Sequence, residues 1–168
     1  MHRYRTNGPR GVLGMVLLLL CGNHAHAQVR CPWLNVATAS GVLEGPALLQ
    51  VEQPNATETQ CVFRYQNGKV IETLEIDVRR QQDISRGLVP EESSCNAPGT
   101  PLRAIGNEAV LCADDRRSSR GDQVIGRVRD SIFRVSVSTT AKNDPAVKRE
   151  VLEQRAKDTA EQVAGALF

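Results

Sequence analysis

Apolar and polar residues alternate with a period of two from Gln60 to Gln66 and from Lys69 to Arg79. Between these runs lies Asn67-Gly68, the dipeptide that best tolerates the positive φ values of a type I′ hairpin turn. The spacing predicts two antiparallel strands in which Tyr65 faces Val70, Phe63 faces Glu72 and Cys61 faces Leu74. Cys61, Phe63, Tyr65, Val70, Leu74, Ile76 and Val78 then share a core face, while Arg64, Glu75, Asp77 and Arg79 face water. Glu72 is the exception and is expected at the rim. Ala47, Leu49 and Val51 alternate as a further strand that ends at Pro54-Asn55, and Ala109 to Cys112 form a short apolar strand. A second hairpin is predicted from Val124 to Arg129 and Ile132 to Ser138 around Asp130-Ser131. It places Val124, Val128, Phe133, Val135 and Val137 on one face.

Two segments carry helical spacing instead. Cys31-Pro32 opens a helix through Trp33, Leu34, Val36 and Ala37, with Gly45 as its stop. A closing helix is predicted from an Asp144 N-cap and Pro145, with Val151, Leu152, Ala156, Ala160, Val163, Ala164 and Leu167 along one stripe and Glu153 four residues before Lys157. The chain from Arg80 to Pro101 is polar and rich in Ser, Pro and Gly, and reads as a long loop anchored by Cys95. A charged loop, Asp114 to Asp122, precedes the second hairpin. The order of helix, strands, loop, strands and helix predicts an α+β fold, an antiparallel sheet of about five or six strands with N- and C-terminal helices packed on it.

The first residues change the compartment. Arg3, Arg5 and Arg10 precede an apolar run from Val12 to Leu20, and Ala25-His26-Ala27 closes it as a small-residue cleavage pattern. The run is shorter than the roughly 20 residues that a membrane-spanning helix needs. Residues 1–27 therefore read as a signal peptide and 28–168 as one domain, placed in the periplasm or secreted, with no transmembrane segment after cleavage. Cys21 follows Leu20, whereas a lipid-attachment cysteine follows a small residue.

Cleavage alters both charge and chemistry. Three basic residues and no acidic ones leave with the leader, so 18 basic residues face 19 acidic ones in the remainder, a net charge of −1. A general attraction to nucleic acid is not expected of such a chain. His2, His24 and His26 are the only histidines and all leave with it, which excludes histidine-based triads and histidine metal ligands from residues 28–168. Four of the five cysteines remain: Cys31, Cys61, Cys95 and Cys112. In an exported chain they read as two disulfides, and of three possible connectivities the sequential one, Cys31 with Cys61 and Cys95 with Cys112, keeps each bond within a local unit.

No catalytic centre, metal site or cofactor motif is recognised. Glu91-Glu92, or Glu72 with Glu75, are the carboxylate pairs open to histidine-independent hydrolysis, and Arg120-Gly121-Asp122 reads as a turn. The positive clue is basic: Arg127 is expected opposite Arg134 on the outer face of the second hairpin, with Arg129 nearby and Arg116, Arg117 and Arg120 in the preceding loop. Like charges opposed across strands cost up to about 1 kcal/mol, so these arginines need either counter-charges or an anionic partner. The expected function is an extracytoplasmic binding or sensing module for an unknown protein or small anionic ligand. A secreted enzyme inhibitor or a paired-carboxylate hydrolase is the alternative.

The frame Cys31-Pro32-Trp33-Leu34, Gly45, Cys61-Val62-Phe63, Ile105-Gly106-Asn107-Glu108-Ala109 and the closing amphipathic helix resembles small exported bacterial domains of unknown function, of lipoprotein and sensor type. The resemblance implies a PsbP-like α+β sandwich and a role in binding or sensing. The chain departs from the lipoprotein members in lacking their lipid-attachment cysteine.

Cleavage after Ala27 predicts that the exported protein begins at Gln28. Its intact mass, with and without thiol alkylation, should match residues 28–168 carrying no free thiol; a retained leader or an alkylated cysteine would refute this.

Overall fold

Cross-strand matching of apolar side chains decides how these segments assemble. The computed structural model describes residues 30–81, 88, 95, 97–142 and 147–168. The export segment, most of the Arg80 to Pro101 loop and the Asp144-Pro145 helix start lie outside the described residues. Helix α1 (Val36–Val42) precedes strands β1 (Leu48–Asn55), β2 (Glu58–Asn67) and β3 (Val70–Arg80). Strands β4 (Thr100–Leu102), β5 (Glu108–Ala113), β6 (Arg120–Val128) and β7 (Ser131–Thr139) follow, and helix α2 (Arg149–Leu167) closes the chain. All seven strands form one antiparallel sheet in the order β1-β2-β3-β7-β6-β5-β4. The α+β class agrees with expectation, but the strand count is seven rather than five or six. The additional strand, β4, lies in the stretch read as loop, where Thr100, Pro101 and Leu102 pair with Leu111, Val110 and Ala109.

Both hairpins keep their predicted faces but shift by one position at the turn. In the first, Asn67 pairs with Val70, so Gly68 and Lys69 form the turn and Gly68 takes φ +60. The shift sets Phe63 opposite Leu74 and Cys61 opposite Ile76, and moves Glu72 away from Phe63 to face Tyr65. Apolar pairing across the strands outweighs the turn preference of Asn-Gly. In the second, Val128 pairs with Ser131 and the turn is Arg129-Asp130. Phe133 consequently faces Gly126, where a Cβ atom would lie 2.4 Å from the ring. Only this register gives the buried ring its space.

The core lies between one sheet face and the two helices. Phe63, Leu74, Ile76, Val124, Phe133, Val135 and Val137 from the strands meet Ala39 of α1, the Leu43 that follows it, and Leu152, Ala156, Ala160 and Val163 of α2. Helix α2 packs on β6 and β7, and the predicted Glu153–Lys157 ion pair forms at 2.6 Å. Helix α1 begins later than expected because the Asn35 side chain caps it, accepting from the Thr38 N–H at 2.9 Å. Cys31 lies before the helix, bonded to the fully buried Cys61 of β2. The chain leaves α1 through Glu44, at φ +54, one residue before the predicted glycine stop.

On the opposite face the sheet is divided. Val110, Cys112, Ile125 and Ile132 form a second apolar cluster beneath Leu88 and Cys95. The Cys95–Cys112 disulfide joins the segment between β3 and β4 to this face. The half nearer β1 is polar.

Loop entropy assigns each disulfide roughly 3–4 kcal/mol for closures of 30 and 17 residues. Replacing Cys31 and Cys61 together with alanine should therefore lower unfolding free energy by about that amount, as should replacing Cys95 and Cys112. The second pair should also raise amide hydrogen exchange at Val110 and Ile125, whereas the first should leave those amides protected.

Candidate functional site

The hairpin shift rearranges the basic residues. Arg127 faces Ile132 and Arg134 faces Ile125, so the expected arginine-on-arginine opposition is absent. Each instead has a carboxylate: Arg127 Nε donates to Glu108 Oε1 at 2.6 Å, and Arg134 Nε donates to Asp77 Oδ2 at 2.9 Å. Burial disfavours the charged guanidinium of Arg134, but Asp77, followed by Glu75 and Asp114, prevails and raises its pKa. Arg134 lines a small cleft of about 100 Å³ beside its partner Asp77, whereas Arg129 lines a larger one.

That cleft, of about 550 Å³, lies where the C-terminal end of α2, the β1–β2 turn, the end of β3 and the β6–β7 turn converge. Arg80, Arg129, Thr57, Thr59, Ser131 and Trp33 line it, with Asp130 as its carboxylate. Arg129 occupies φ +53, a left-handed conformation that non-glycine residues adopt at a cost of about 1 kcal/mol or more. Its N–H donates to Asn107 Oδ1 at 2.7 Å, its carbonyl accepts from the Arg127 guanidinium at 3.3 Å, and its own guanidinium lies over the Phe168 ring at 5.7 Å. Asn107 is positioned in turn by Gly106, at φ +65, where a Cβ would come within 2.5 Å of the Arg127 carbonyl. Glycine alone permits that approach. On the other side the Arg80 N–H donates to the Thr57 carbonyl and the Gln81 N–H to the Asp130 carbonyl, tying the end of β3 to both turns. No carboxylate among the described residues pairs with Arg80.

A second cleft, of about 400 Å³, opens on the polar half of the outer face. Gln50, Glu52, Gln60, Arg64, Thr73 and Glu75 form its floor, and Arg116, Ser118 and Ser119 of the β5–β6 loop stand over it. Glu75 is already engaged, accepting from Gln60 at 2.7 Å with Arg116 at 3.7 Å.

Several other candidates are displaced. Glu72 and Glu75 project from opposite faces of β3 and do not form a carboxylate pair; Glu72 meets Arg155 of α2 at 3.3 Å, and burial raises its pKa against that arginine. Glu91 and Glu92 lie outside the described residues. Arg120-Gly121-Asp122 is not a turn but the start of β6, with Gly121 and Asp122 buried. Sequence gives Trp33, Thr57, Thr59 and Ser131 no role in a site, for they come from separate elements and share no local pattern. A scan of protein-family models, a search of curated proteins and a search of solved structures each found no match to the chain.

Asp122 sits at the other end of the sheet beneath the start of α2. Its Oδ2 has no hydrogen-bond partner, Arg149 Nε stands 3.8 Å away, and burial pushes its pKa up to about 6 from 3.8 despite that arginine. The folded chain holds this proton at pH values where the unfolded chain has released it. Its contribution to stability is thus fully present below pH 3.8 and is lost as pH rises through 6. Asp122→Asn removes the titration. Urea unfolding should find the variant more stable than wild type by about 2–3 kcal/mol at pH 8, the gap closing towards pH 4; a gap independent of pH would contradict the assignment.

Proposed function

We propose that the chain is an extracytoplasmic binding module, periplasmic or secreted, that takes a small anionic ligand in the cleft bearing Arg80 and Arg129. One observation carries this reading: a non-glycine residue is held in a left-handed turn by Asn107, and its guanidinium shares a cleft with Arg80 and three hydroxyl groups. The turn position itself favours Gly or Asn, so holding an arginine there carries a backbone cost that a role for its guanidinium would offset. Arg80 brings a second guanidinium, and the Thr59 hydroxyl supplies a further donor, whereas the Thr57 and Ser131 hydroxyls already donate to Asn55 and Asp130. Planar guanidinium forks suit carboxylate and phosphate groups. The resemblance to exported sensor-type domains supports a binding role, and the two disulfides accord with an oxidising compartment. Arg127 and Arg134 are already matched by carboxylates, and Arg127 also braces the Arg129 carbonyl.

Trp33 is the only tryptophan of the chain and lines this cleft, so its emission reports occupancy. Titration with phosphate, sulfate, citrate and simple dicarboxylates should give a saturable change for at least one. Charged hydrogen bonds contribute about 1.5–3 kcal/mol each, so Arg80→Ala and Arg129→Ala should each weaken binding at least tenfold. An Arg134→Ala variant that still folds should bind as wild type. No saturable response to any of these anions, or one surviving loss of both Arg80 and Arg129, would overturn the proposal.

A further inference from the structure

The two edges of the sheet are finished differently. β4 is three residues long and contains Pro101, which has no N–H to offer a neighbour. β1 is eight residues long and pairs only with β2. A break in register between Glu52 and Asn55 blunts its far end. From Leu48 to Glu52 the pairing with β2 is regular, and nothing among the described residues occupies the other side. The run carries no lysine and no proline, and Leu48 is 78% exposed. An open, regular edge with a bare leucine is the kind of edge that sheets otherwise protect.

The side chains along this run alternate in a way that specifies an occupant. Leu49 and Val51 point to the core side, where they are partly buried against it. Gln50 and Glu52 line the outer cleft, and strand alternation places Leu48 on the same face. The Glu52 carboxylate meets only the Gln50 amide, which donates to it at 2.5 Å. We infer that this edge accepts an extended peptide as an eighth strand, antiparallel to β1, with a basic residue opposite Glu52, a small polar residue opposite Gln50 and a large apolar residue opposite Leu48. Main-chain hydrogen bonds to β1 supply affinity, and the three outward positions, spaced by two residues, supply specificity. The two intervening residues lie beside Val51 and Leu49 and extend the core-side apolar surface. A second copy of this chain fits less well, because antiparallel pairing about Gln50 sets Glu52 against Leu48 and leaves both carboxylates unanswered.

The test uses a fluorescein-labelled peptide containing Lys-Val-Thr-Val-Leu, followed by anisotropy with the purified protein. Binding should be saturable, and amide resonances of Leu48 to Glu52 should shift while those of β4 do not. Leu48 and Glu52 are exposed, so their substitution leaves the fold intact, as an unchanged melting temperature would show. Glu52→Lys should weaken binding about tenfold by turning attraction into repulsion. The same variant should recover to within about threefold with a peptide carrying Glu in place of Lys. Binding indifferent to the Glu52 charge, shifts confined to another surface, or a concentration-dependent dimer that Leu48→Lys dissolves would each overturn the inference.

Discussion

The Phe133 ring lies in the space that Gly126 leaves empty, and much of the molecule follows from that contact. It determines which residues of β6 and β7 stand opposite each other, because moving the turn by one position would drive the ring against a side chain instead. β7 is the strand through which the β1–β3 meander joins the β4–β6 meander, so its register aligns the two halves of the sheet. The same register pushes Arg129 into the left-handed turn position. It also separates Arg127 from Arg134 and gives each a carboxylate, on β5 and β3 respectively.

Around that axis the two sheet faces meet different fates. The inner face is closed by α1 and α2, and the small side chains of Ala156, Ala160 and Ala164 let α2 lie close on β6 and β7. The outer face is covered only in part by the described residues. Leu88 and the Cys95–Cys112 disulfide close the half over β5 and β6, while the β1–β3 half keeps Gln, Thr, Glu and Arg side chains around a cleft. A disulfide on each face compensates for the modest core of a small domain. One ties the entrance of the domain to the middle of β2, and the other ties a long polar segment to β5.

Charge is distributed to match this division. Carboxylates of the outer face are spent on internal arginines: Asp77 on Arg134, Glu108 on Arg127, Asp114 on Arg116. Asp114 also accepts from Ser136 at 2.6 Å, which holds the base of the β5–β6 loop against β7. Lys142 secures the tip of that loop through the carbonyls of Arg116 and Arg117. Asp122 stands apart as a carboxyl buried beneath α2 with Arg149 too distant for a good hydrogen bond, which leaves its Oδ2 without a hydrogen-bond partner. Arg80 and Arg129 are cations left for the opposite end, where the chain presents hydroxyl groups beside them.

Local pattern alone was enough to determine the α+β class and the inward and outward faces of both hairpins, and it favoured, among three connectivities, the disulfide pairing that forms. Each rests on interactions between residues close in sequence or on a period-two alternation that a single strand already displays. β4 escaped notice because three residues ending a Ser- and Pro-rich stretch show no period. The turn positions were misplaced for another reason: Asn67-Gly68 has a strong local preference, but the energy that overrides it comes from Leu74 and Ile76 meeting Phe63 and Cys61 across the sheet. The end cleft was beyond sequence altogether. Arg129 was visible as a basic residue, yet its conformation depends on Asn107 in another element, and its companions Trp33, Thr57, Arg80 and Ser131 come from segments spread over most of the domain. Tertiary structure decided the site because only a common register across seven strands brings those segments to one end.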